Sequence, residues 1–231
     1  LELSKLYPII RDSMTGEGVP GLQIALIRNG ELALFESFGV KNLETGDPVT
    51  ADTLFEAASL TKPVFAYVVI KLIEEGVLAR DTRLEEIVAP PADGPPERTR
   101  ELTPELILSH RTGLPNWYQG RGKPSLRPSQ GRLFAYSGMA YVYLQQVVEK
   151  LTGKSLESLL RERLFDPLGM HASYLTWQDE FPARLAHGHS PQGAPPRYQM
   201  EAAISAASLV CTAQDSGKFA PLAATPPPPT H

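Results

Sequence analysis

Apolar residues recur at helical spacing in several places along this chain. Val64, Val68, Val69, Leu72 and Ile73 mark one face of a helix that stops at Gly76, with Pro63 in its first turn. Ala140, Leu144, Val147, Val148 and Leu151 repeat the pattern up to Gly153, and Ser155 opens a further helix with Leu156, Leu159 and Leu160 before Pro167. Thr103 caps a short helix with Pro104 at its first position and Gly113 beyond its end. Leu3, Leu6, Ile9 and Ile10 predict an N-terminal helix disturbed by Pro8 and broken by the turn Gly16–Gly21. Between the strand-like runs Leu22–Arg28 and Leu32–Val40 stands Asn29-Gly30, a strong hairpin signal, so the two runs are expected as antiparallel neighbours. Near the other end, Ala202–Thr212 is apolar and strand-like, and Ala213–Phe219 turns helical before the stop at Pro226–Pro229. The pattern predicts an α/β chain with strand-like segments toward both ends and a helical middle, in a single domain.

Composition narrows the function classes. With 231 residues, 42% of them hydrophobic, the chain can bury a substantial core. A net charge of -4 without a run of Lys and Arg gives no basic footprint, so nucleic-acid and anionic-lipid partners are not expected. Cys211 is the only cysteine, which excludes an intrachain disulfide and a Cys-rich zinc site. No stretch is long and apolar enough to span a bilayer, and the sequence opens at Leu1 without a signal-like segment, which favours a soluble, cytoplasmic protein.

Chemistry concentrates at Ser59-Leu60-Thr61-Lys62. If Ser59 starts the helix, its hydroxyl and the Lys62 amine lie one turn apart on one face, and the positive end of the helix favours a developing alkoxide. The plainer alternative is a capping serine followed by a solvated lysine. Elsewhere the signals are weaker. Gly16–Gly21 formally fits a dinucleotide fingerprint, but a strand follows it where a helix is needed. His187-Gly188-His189 has no third ligand at suitable spacing, so no metal is expected. His110 follows Ser109 directly, so the two side chains point apart, and His110 reads as structural. Glu74, Glu75, Glu85 and Glu86 read as a solvated face.

Several segments in order change the weight of Ser59. Gly18-Val19-Pro20-Gly21, the hairpin, Thr53-Leu54-Phe55, Ser59–Lys62, Leu108–Pro115, Phe134-Ala135-Tyr136-Ser137-Gly138 and Phe165–Met170 together resemble the serine β-lactamase and penicillin-recognising superfamily. The nearest branch resembles the class C β-lactamases, the DD-peptidases and the family VIII carboxylesterases. The resemblance implies a single serine β-lactamase-like domain of the α+β type, with an antiparallel sheet and flanking helices in an incomplete sheet lobe from residues 1–58 and 180–231 and a mainly helical lobe from 59–179. It implies that Ser59 is the acyl-accepting nucleophile, Lys62 its proton partner and Tyr136 the phenol that exchanges protons with nucleophile and leaving group, with no metal or organic cofactor. A phenol is a poor base at neutral pH, but an ammonium beside it stabilises the phenolate and lowers its pKa. Trp117 and Tyr118, in a loop of the right position, are candidates to line an acyl pocket.

Two departures shape the functional expectation. The family's Tyr-x-Asn motif carries Gly138 at its third position, which removes an amide contact to substrate. No Lys-Thr-Gly or His-x-Gly follows Phe219, so the late strands and the second oxyanion donor they supply are missing from the sequence. The expected activity is therefore hydrolysis of small carboxylic esters through a Ser59 acyl-enzyme. A β-lactamase or DD-peptidase and a penicillin-binding or inactive scaffold without turnover are the alternatives. The expected partners are a small-molecule ester and a second copy of the chain, a homodimer that completes the sheet.

Overall fold

The computed structural model describes residues 5–126, 131–190 and 200–224. In chain order its elements are α1 (Leu6–Glu17), β1 (Gly21–Arg28), β2 (Glu31–Gly39), β3 (Phe55–Ala58), α2 (Thr61–Glu74), α3 (Pro96–Thr99), α4 (Pro104–Leu108), α5 (Gly138–Thr152), α6 (Leu156–Leu160), β4 (Ser173–Tyr174), α7 (Phe181–Arg184), β5 (Leu209–Cys211) and α8 (Ala213–Ala224). They group into two compact units: Leu1–Ala57, Phe165–Glu201 and Leu209–His231 form one, Ala58–Leu164 and Ala202–Ser208 the other.

In the first unit β1 and β2 pair antiparallel from Gly21 opposite Gly39 to Arg28 opposite Glu31, with a register shift between Leu26 and Ile27. Asn29 and Gly30 take φ of 55° and 81°, the left-handed pair that a two-residue hairpin turn requires. A Cβ on Gly217 of α8 would lie 3.2 Å from both Ala25 and Ile27, so the glycine lets the helix sit close on the hairpin. A second sheet has the order β3-β5-β4, with Ser173 opposite Cys211. Its neighbourhood buries Leu54, Phe181, Leu185 and Val210. Asp215, itself buried, accepts the Ala172 N–H at 2.7 Å, the Ser173 hydroxyl at 3.1 Å and the Lys218 amine at 2.8 Å. Those bonds tie residues 165–179 to the unit that holds the sheets.

The second unit is built on α2 and α5. Val64, Phe65, Val68, Val69 and Leu72 of α2 are buried, as are Ala140, Tyr141, Tyr143, Leu144, Val147 and Val148 of α5. Each aliphatic side chain buried in this way contributes about 1.5–3 kcal/mol. Ser137 caps α5 by accepting the Ala140 N–H, and Gly153 ends it at φ 66°.

Three expectations need correction. Pro8 does not disturb α1, because the helix begins at Leu6 and places the proline in its first turn, where its missing N–H costs nothing. The run Ala202–Thr212 is a strand only over Leu209–Cys211. Its first half is turn, held in the second unit by Gln145 of α5, whose amide donates to the Ala203 carbonyl at 3.0 Å and accepts the Ser205 N–H at 2.8 Å. α8 continues past Phe219 to Ala224, with Pro221 inside it. The stop at Pro226–Pro229 lies outside the described residues.

Candidate active site

The nucleophile candidate lies just ahead of its helix. Leu60 is the N-cap of α2 and Thr61 its first residue, so Ser59 precedes the helix and does not start it. The Ser59 carbonyl accepts the Lys62 N–H at 3.1 Å, which still sets the two side chains one turn apart. Ala58 immediately before has φ of 45°, a left-handed conformation costly for a residue with a Cβ, and the Thr61 hydroxyl anchors its carbonyl at 2.6 Å. Strained backbone of this kind fixes the direction in which the next side chain leaves the chain.

Lys62 is 4% exposed and has three N–H donors to satisfy. It donates to Ser59 Oγ at 3.1 Å and to the Ala206 carbonyl at 2.6 Å. Its ammonium stands 4.6 Å from the centroid of the Tyr136 ring. Among the described residues no carboxylate pairs with it. A buried ammonium with no carboxylate favours a phenolate as counter-charge. Burial alone would push the Tyr136 phenol up. The hydrogen bonds from Lys62 and Ser59 and the Lys62 charge outweigh it and hold the phenol below its ordinary value. Ser59 and Tyr136 thus share one close neighbour, Lys62.

Tyr136 is half-exposed at the mouth of this cluster, and its ring lies against His110 at a centroid distance of 4.5 Å. Tyr141 also lies against His110, at 5.0 Å, and its buried phenol is pushed up to about 12 and stays protonated. Burial, and then the Lys62 charge, hold His110 below the usual histidine value.

The remaining sequence candidates divide. Gly138 opens α5, and Asn116 Oδ1 accepts its N–H at 2.9 Å. A Cβ there would stand 2.9 Å from Trp117 Cζ2, so Trp117 occupies the space a side chain at this position would take. Tyr118 turns to its own loop and donates to the Arg121 carbonyl at 3.2 Å, and no described contact brings it to Ser59. His187 lies in the first unit with its ring 3.5 Å from the Asn42 amide, on a cavity of about 760 Å³ that includes none of Ser59, Lys62 or Tyr136. Among the described residues no group of three His, Cys, Asp or Glu side chains is arranged to hold a metal ion. Sequence reasoning missed Ala206, Gln145 and Asn116.

The sequence matches the protein family described as Beta-lactamase over residues 8–229. Penicillin-binding protein 4 of Amycolatopsis lactamdurans is 32% identical over 190 residues, which is 76% of this chain and 50% of that protein. Esterase EstB of Burkholderia gladioli is 28% identical over 201 residues, 72% of this chain and 50% of the other. In structure the chain superposes on the octameric penicillin-binding protein homologue from Pyrococcus abyssi with a TM-score of 0.81 at 25% identity, over 96% of this chain and 56% of that one. It spans about half the length of the relatives it matches.

Proposed function

Because the chain belongs to the beta-lactamase family, we propose that it is a serine hydrolase that cleaves small carboxylic esters through a covalent Ser59 acyl-enzyme. The observation that carries the reading is the buried Lys62 amine, which donates to Ser59 Oγ at 3.1 Å and stands 4.6 Å from the centroid of the Tyr136 ring. In this geometry Tyr136 takes the Ser59 proton as Oγ attacks the ester carbonyl. Lys62 stabilises the phenolate before the step and the alkoxide-like oxygen during it. Tyr136 then returns the proton to the departing alcohol oxygen. In the second half-reaction the same phenolate takes a proton from water, whose oxygen attacks the acyl carbon, and Ser59 leaves reprotonated.

Ester specificity is supported by Gly138, which offers no side-chain amide to a substrate amide, and by the better leaving group of an ester. A second reading, β-lactam or D-alanyl peptide hydrolysis, is favoured by the likeness to a penicillin-binding protein. Turnover of p-nitrophenyl acetate and butyrate compared with nitrocefin separates the two. The ester reading expects the larger kcat/KM on an ester, and a larger value on nitrocefin overturns it.

A further inference from the structure

Tyr136 is held from both sides by one residue. The Ala135 N–H donates to the His110 carbonyl at 2.7 Å, and the Ser137 N–H donates to His110 Nδ1 at 3.1 Å. The imidazole also stacks on the Tyr136 ring at 4.5 Å and is backed by Tyr141 at 5.0 Å and Phe134 at 5.5 Å. His110 itself sits at φ of 55° as the left-handed residue that ends α4, its N–H on the Ile107 carbonyl and the Arg111 N–H on the Leu106 carbonyl, so the helix end fixes where it stands. From these contacts we infer that His110 is the positioning residue for Tyr136, and that only its neutral imidazole does this work. The inference rests on the reading of Tyr136 as the base.

The requirement for the neutral ring follows from hydrogen-bond chemistry. Nδ1 accepts the Ser137 N–H, so the ring proton is on Nε2. Protonation puts a hydrogen on Nδ1 facing that N–H, and the bond is lost. The titratable groups that face the ring are Lys62 from α2 and the phenols of Tyr136 and Tyr141. A second cation beside Lys62 would oppose its charge, and burial works in the same direction. The loop that carries Tyr136 is thus released at acid pH, in the range below an ordinary histidine.

Two variants separate positioning from bulk packing. His110→Phe keeps the stacked ring and loses the acceptor. His110→Asn loses the ring but supplies an amide oxygen that can accept the Ser137 N–H, at a φ that asparagine tolerates better than phenylalanine. For p-nitrophenyl butyrate, His110→Phe should lower kcat by about ten- to hundredfold with KM within about threefold, the size expected for a misplaced catalytic group. His110→Asn should recover most of that loss.

The pH profile reads the same role independently. With Tyr136 as base, log(kcat/KM) rises with pH at a slope of about one, and at acid pH the wild type should steepen to about two as His110 also titrates. His110→Asn should keep a slope of about one throughout. Equal loss in both variants, no loss in His110→Phe, or the same steepening in His110→Asn overturns the inference. If His110→Phe does not fold, the slope of His110→Asn decides alone. Tyr136→Phe is measured beside them: full activity there removes the base assignment itself, whereas an inactive Tyr136→Phe with an unaffected His110→Phe removes only the positioning role.

Discussion

Removing one oxygen from Tyr136 should stop most of the chemistry and leave the fold nearly untouched. Tyr136→Phe keeps the ring against His110 and deletes the phenol oxygen, whose ionised form Lys62 and Ser59 favour. General base and acid catalysis by a placed side chain is worth about 10²–10⁴ in rate. Tyr136 is 41% exposed, so water can enter the space left by the oxygen and take up part of the Ser59 proton transfer. The expected loss in kcat/KM is therefore in the lower part of that range, about hundred- to thousandfold, or about 3–4 kcal/mol in the barrier. Stability should move by less than about 1 kcal/mol, because Tyr136 is exposed and the change removes one oxygen. Initial rates on p-nitrophenyl butyrate with a urea melt on the same samples measure both quantities. Activity within threefold of wild type, with the fold intact, would refute the assignment of Tyr136 as base.

The other predictions follow from the same contacts. The kcat/KM of the wild type should rise with pH and level off below 10, because Lys62 and Ser59 hold the Tyr136 phenol below its ordinary value; a plateau already complete at pH 6 contradicts this. By linkage, the depressed His110 value contributes stability that is present above the ordinary histidine pKa and lost as pH falls through the folded one, so the melting temperature of wild type should drop more than that of His110→Asn over that window. Asp215→Ala should cost about 2–4 kcal/mol in urea unfolding, since it orphans the Ala172 N–H and the Ser173 hydroxyl, while Asp215→Asn should cost less. Among the described residues β1 and β2 pair only with each other, and light scattering after size exclusion should find a dimer that covers a hairpin edge. An active monomer at low micromolar concentration counts against it.

How much was legible in the sequence depended on how local each cause is. The hairpin turn, the caps at Thr103 and Ser155, and the glycine stops are all encoded within a few residues, and α4, α6 and the hairpin begin at or within a residue or two of where the pattern put them. The ordered motifs pointed to the serine β-lactamase fold, and the structural match bears that out. The Ser59–Lys62 contact was readable because i and i+3 on a turn must meet. Ala206 was not, since its contribution is a backbone carbonyl that any residue carries, delivered across 144 positions by the grip of Gln145. The strand expected over Ala202–Thr212 failed for a related reason: an apolar run records burial, and Ser205 and Ala206 are buried as turn. His110 read as structural because adjacency to Ser109 was the only local clue, whereas its partners Ala135 and Ser137 lie far along the chain.

The central claim is that Ser59 becomes acylated, and intact mass spectrometry after reaction with a serine-directed fluorophosphonate tests it without requiring turnover. The account predicts one adduct per chain, mapped by peptide digestion to Ser59, absent in Ser59→Ala and slowed by about a hundredfold or more in Tyr136→Phe. An unmodified chain, or an adduct that persists at the same rate in Ser59→Ala, contradicts it.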